Sequence, residues 1–282
     1  GAGRSHERDW YNQGTDIVKR KRLQTRRPKH QSFTRMIPNL LTLLNLCAGA
    51  TAIRFALSDR FEEAVAAILL AGVLDLLDGG MARLLRAGSK LGAELDSLAD
   101  LVSFGVAPGV MVYAWTMHTA GGIGWVPTLL FCVCAALRLA RFNIAQDNTT
   151  EAQGAYSYFV GLPTPGAAGI LMVPMVLAFQ YPEGTFDNVV LNGSVTVVAA
   201  LLMVSRLPTF SLKGGHVPNK FVLPLLLLFC LLVGLAVEAP WATLTVVMLA
   251  YIATIPIGLV AFKRQQRKLL AELEHTPSDG GV

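Results

Sequence analysis

FEEAVAAILLAGVLDLLDGGMARL (Phe61–Leu84), followed closely by GAELDSLADLVSFGVAP (Gly92–Pro108), decides the fold. Both stretches are apolar, yet the first carries Asp75 and Asp78, three apart, and the second Asp96 and Asp100, four apart. Residues three or four apart share one face of an α-helix, so two neighbouring helices can turn all four carboxylates to a common point. An ionised carboxylate at membrane depth costs several kcal/mol unless it is paired or metal-bound. Arg83, Arg86 and Lys90 lie beyond the first pair and are too few to neutralise a packed cluster. Carboxylate oxygens are hard ligands that select Mg²⁺, Mn²⁺ or Ca²⁺. Four of them can hold two divalent ions bridged by a shared carboxylate, an arrangement suited to phosphoryl chemistry. Gly79, Gly80, Ala82 and Gly92 leave room for a bulky group beside the acids, and Arg83 offers a fixed cation for phosphate. A proton or ion pathway through a transporter also places acids inside a helical bundle, so the spacing alone leaves that reading open.

The rest of the chain supplies the setting. Of 282 residues, 53% are hydrophobic and only 15% charged, and the mean hydropathy is +0.49, which excludes an ordinary soluble domain. Apolar runs long enough to cross a bilayer fall at about 37–57, 61–84, 93–117, 122–144, 162–181, 188–206, 219–236 and 240–262, predicting an all-α polytopic bundle of about eight transmembrane helices. Ser58-Asp59-Arg60, Gly121-Gly122, Pro182-Glu183-Gly184 and Glu238-Ala239-Pro240 break the runs where helices should end. Lys and Arg crowd the segment before the first span and recur after every even-numbered one, as with Arg138 and Arg141, Arg206 and Lys213, and Lys263 and Arg264. The positive-inside rule then puts both termini in the cytoplasm and favours an even number of spans. The expected organisation is a basic cytoplasmic arm over 1–35, a transmembrane catalytic domain over 36–263 and a cytoplasmic tail over 264–282. The net charge of +5 reads as topology and attraction to anionic membrane lipids. No nucleic-acid partner is expected, because no folded soluble domain accompanies the basic arm. Cys47, Cys132, Cys134 and Cys230 all lie in apolar spans as packing residues, and the five histidines show no metal-ligand spacing.

The run from Asp75 through Asp78-Gly79, Ala82-Arg83, Gly92 and Asp96 to Asp100 resembles the complete signature of the CDP-alcohol phosphotransferases. These are integral membrane enzymes that cleave the pyrophosphate of a CDP-linked lipid or alcohol, join the phosphoryl moiety to an acceptor hydroxyl and release CMP. The resemblance implies a divalent pair, Mn²⁺ or Mg²⁺, with Asp75, Asp78 and Asp96 as ligands. It makes Asp100 the general base, also touching the second metal, and sets Gly79, Ala82, Arg83 and Gly92 at the CDP site. Ile37 to Asn45 is similar to the family's first-helix motif, in which Asn39 and Thr42 would help hold the nucleotide.

LDSLADLVSFGVAP (Leu95–Pro108), ALRLARFN (Ala136–Asn143), FVGLPTPGAA (Phe159–Ala168) and Ser205-Arg206-Leu207-Pro208 resemble bacterial, membrane-embedded phosphatidylserine synthases. That likeness implies CDP-diacylglycerol and L-serine as substrates, a site facing the cytoplasm from the bacterial inner membrane, and a homodimer. Serine brings a carboxylate, and Arg138 or Arg141 could grip it or the lipid phosphate, with Asn143 hydrogen-bonding the acceptor. Positive-inside anchoring equally explains the arginines, and a helix C-cap equally explains Asn143. A sister enzyme using glycerol 3-phosphate or inositol phosphate would call for a denser cationic pocket.

Overall fold

The computed structural model describes residues 36–85, 89–148, 161–182, 184–205 and 219–255. The basic arm 1–35, the tail 264–282, and Arg86, Arg206 and Lys213 lie outside the described residues. Among the described residues every regular element is a helix, and helices stand where the eight spans are expected, the last described only as far as Ile255. They are α1 (Ile37–Ala56), α2 (Phe61–Leu84), a third span built from α3 (Lys90–Asp100) and α4 (Ala107–Trp115), α5 (Gly122–Asn148), α6 (Thr164–Ala178), α7 (Val189–Val204), α8 (Asn219–Glu238) and α9 (Pro240–Ile255). Spans one to four are each long and apolar enough to cross a membrane, while α6, α7 and α9 are shorter apolar helices. The chain is an integral membrane protein.

Exposure is inverted relative to a soluble protein. Along α2, Leu76 is 77% exposed while Asp78 is only 4% exposed, so leucines face the lipid and the acid faces the bundle. Alanines fill the inward faces: Ala48, Ala52 and Ala56 on α1 meet Ala64, Ala67 and Ala71 on α2. Without a hydrophobic drive between helices in lipid, such small side chains gain contact by letting backbones approach. A tight turn at Ser58-Asp59-Arg60, with Asp59 at φ 59°, folds α1 antiparallel onto α2.

The third span is not one straight helix. Ser89 caps α3, its Oγ accepting from the Gly92 N–H at 3.0 Å. Directly after Asp100 the chain makes a π-helical turn over Leu101–Val106 before resuming as α4. Pro108 has no N–H to give the Phe104 carbonyl, so α-type bonding cannot run unbroken through this region. The π turn is pinned on α1, where Ser103 Oγ donates to the Asn45 carbonyl at 3.0 Å. Gly49 faces the same serine, and a Cβ there would lie 2.6 Å from Ser103 Cα.

α6 packs against α7 and, antiparallel, against α9. Gln180 donates to Thr245 Oγ1 at 2.8 Å, and Phe179 meets Trp241 edge to face at 4.9 Å. At the other end of α6, Gly166 faces Tyr251. Cys132 and Cys134 are half-buried and buried packing residues of α5, as expected.

Candidate metal and nucleotide site

The two acidic pairs meet. Asp75, Asp78 and Asp96 each offer an oxygen, and the three oxygens lie within 4.8 Å of one another. Asp78 accepts from Thr42 Oγ1 at 2.7 Å, which ties the acid-bearing turn of α2 to α1. The Pro38 carbonyl, 3.1 Å from the same hydroxyl, is a second and longer acceptor for its single hydrogen. Asp100 lies one helical turn beyond Asp96 and is not among the three converging oxygens.

The charge balance shows what the cluster requires. Among the described residues the one ion pair is Arg60–Glu63 at 2.9 Å, more than three turns from Asp75 along α2. Asp96 and Asp100 each bury an Oδ1 that has no hydrogen-bond partner. Packed carboxylates with unmet buried oxygens and, among the described residues, no ion pair need cations. An all-oxygen set of this kind fits a hard divalent ion. These acids can therefore hold a metal ion.

A cavity of about 160 Å³ opens beside them. Its walls include Asn39, Thr42, Gly79, Ala82 and Gly92, five of the six residues expected around the nucleotide, together with Asp78 and Asp96. Its wall is open at Gly79, where an added Cβ would meet nothing within 4 Å. Gly92 works the other way. A Cβ there would come 2.9 Å from Asn39 Oδ1 and 3.1 Å from Ser89 Oγ, so glycine lets α3 close on α1. Pro38, Ser89 and Ala93 also line the cavity and were not singled out by sequence reasoning. Ser89 had a signal, because a serine three residues before Gly92 at the start of an apolar run marks a helix cap.

Arg83 is exposed and does not line this cavity; its Nε donates to the Gly79 carbonyl at 3.0 Å, one turn back. Arg138 on α5 points inward, Nη1 donating to Thr164 Oγ1 at 2.6 Å, and its Nε is buried without a partner. Arg141 is exposed and turned away, with Nη1 3.4 Å from the Val204 carbonyl. Asn143 is no C-cap, since α5 runs on to Asn148; its Oδ1 accepts from Ser97 Oγ at 3.0 Å and so joins α5 to the acid-bearing α3.

Residues 35–209 match the family model described as CDP-alcohol phosphatidyltransferase, and residues 220–256 match CDP-alcohol phosphatidyltransferase 2. A Mycobacterium tuberculosis (strain CDC 1551 / Oshkosh) protein named CDP-diacylglycerol–serine O-phosphatidyltransferase is 38% identical over 234 residues, covering 83% of this chain and 80% of its own length. A Helicobacter pylori (strain 26695) protein of the same name is 36% identical over 221 residues, 77% of this chain and 88% of its own. One from Bacillus subtilis (strain 168) is 37% identical over 171 residues, 61% and 88% respectively.

Proposed function

The chain belongs to the CDP-alcohol phosphatidyltransferase family, and from that premise we propose that it transfers the phosphatidyl group of CDP-diacylglycerol to the hydroxyl of L-serine, giving phosphatidylserine and CMP. The observation that carries the reaction type is the convergence of Asp75, Asp78 and Asp96 beside a cavity walled by Asn39, Thr42, Gly79, Ala82 and Gly92. The shared name of relatives spanning most of the chain supports serine as acceptor.

Asp75, Asp78 and Asp96, joined by Asp100, would hold a divalent pair, Mg²⁺ or Mn²⁺. Bound there, it supplies charge neutralisation on the pyrophosphate and on the leaving CMP. Thr42 fixes the Asp78 carboxylate, and the open face of Gly79 admits the nucleotide against the backbone of α2. Asn39, Ala82 and Gly92 shape the rest of that pocket, and Arg83 stands one turn out as a cation for phosphate. Asp100 accepts the serine hydroxyl proton. The freed oxygen bonds to the phosphorus that carries diacylglycerol, the bond from that phosphorus to the CMP oxygen breaks, and CMP departs with the electron pair. Arg138 takes the serine carboxylate, its Nε being buried and unpartnered. Arg141 and Asn143, bonded elsewhere, support the frame of this pocket.

The lysine and arginine distribution supports a site facing the cytoplasm from the inner membrane, with 36–263 as the catalytic domain between the basic arm and the tail. A homodimer is part of the same reading, on the family's habit. The test is to offer the purified protein CDP-diacylglycerol with labelled serine, glycerol 3-phosphate or inositol phosphate in parallel. CMP release and lipid labelling are expected with serine alone, abolished by chelator and restored by Mg²⁺ or Mn²⁺. Labelling by either phosphate-bearing acceptor instead would overturn the serine assignment.

A further inference from the structure

α9 lies within residues 220–256, and its Tyr251 reaches the same turn of α6 that anchors Arg138. Arg138 is held through Nη1 by Thr164, the first residue of α6. Two residues on, Gly166 has no side chain where the tyrosine ring lies. A Cβ at Gly166 would sit 2.7 Å from Tyr251 Cζ and 2.8 Å from Cε1, and would collide with the hydroxyl. The phenol is thus seated on the N-terminal turn of α6 by the absence of a methyl group. Nη1 being committed to Thr164, the guanidinium edge that includes the buried, unpartnered Nε is the one suited to a planar anion.

The geometry points to Tyr251 as a specificity-determining residue of the acceptor pocket, its hydroxyl and the Nε edge of Arg138 together receiving the carboxylate of an amino-acid acceptor. This rests on serine being the acceptor. A carboxylate has about four lone-pair directions, more than one guanidinium edge fills, and a phenol adds a donor without adding charge. One arginine and one neutral hydroxyl therefore match a monoanion. A phosphate-bearing acceptor would be better served by a second cation in Tyr251's place.

The test compares the full-length protein with Tyr251→Phe and Gly166→Ala, using CMP release and CDP-diacylglycerol binding. In Tyr251→Phe the KM for serine should rise about tenfold or more, as for one lost hydrogen bond to a charged group, with kcat changed far less and the KM for CDP-diacylglycerol unchanged. Gly166→Ala, by displacing the ring, should show the same split. Both variants should lose part of the preference for serine over ethanolamine, which has no carboxylate. A serine KM within twofold of the parent in Tyr251→Phe, with that preference intact, overturns the assignment, as does an equal rise in KM for both substrates. Should Gly166→Ala lose CDP-diacylglycerol binding, and so its fold, Tyr251→Phe alone decides. A parent protein that releases no CMP with serine overturns the serine reading itself and this assignment with it.

Discussion

Asp100 buries a carboxylate oxygen that nothing among the described residues satisfies, and Asp96 does the same one turn earlier. Such atoms cost free energy in a finished structure, so their persistence marks a place where function sets the residue. The two differ in setting, since an Asp96 oxygen converges with those of Asp75 and Asp78 while Asp100 is not among the converging three. That difference suits a ligand in the first case and a proton acceptor in the second. Asp100→Asn keeps the shape and removes the ability to take a proton. Transfer to serine should fall by about 10²-fold or more, while metal-dependent binding of CDP-diacylglycerol, measured by titration in detergent, is retained. Unimpaired turnover would remove Asp100 from the base role. At this scale the aspartates were legible because helical spacing alone gathers each pair. The positions of Arg83, Arg141 and Asn143 were not, because side-chain direction depends on which carbonyl or hydroxyl a neighbouring helix presents.

Between α1 and the third span the deciding element is a close crossing. Gly49 faces Ser103 so tightly that an added Cβ would overlap both its backbone and its side chain. Gly79 on α2 is the opposite case, with open space where its Cβ would be. Substituting the two glycines should therefore give contrasting results in thermal unfolding and nucleotide binding. Gly49→Val should destabilise by about 1–3 kcal/mol through overpacking. Gly79→Ala should leave stability unchanged or slightly raised, as alanine favours a helix, yet weaken CDP-diacylglycerol binding by filling the cavity. A stable Gly49→Val would show that the crossing can relax. Hydropathy and turn residues disclosed the eight spans to within a few residues. The division of the third span was missed, although Gly105 and Pro108 in one apolar run were the available signs.

For the molecule as a whole, the proposed orientation rests on the distribution of lysine and arginine. The loop at Ser58-Asp59-Arg60 and the loop ending at Ser89 lie at opposite ends of α2. Single cysteines at Asp59 and Ser89, in a background lacking the four native cysteines, should label from opposite sides of intact inverted and right-side-out vesicles. The Ser89 position, beside the cavity, should react from the cytoplasmic side. Labelling of both from one side would refute the proposed topology. The π turn after Asp100 also carries a meaning in terms of phase. A π turn takes about one residue more than an α turn, and each α residue advances the helix by about 100°, so α4 is rotated by roughly that angle from where α3 would have carried it. The third span is in effect two helices whose inward faces are set off from one another by that turn. Its first half turns Asp96 toward Asp75 and Asp78 while its second half packs Met111 and Val112 into the bundle.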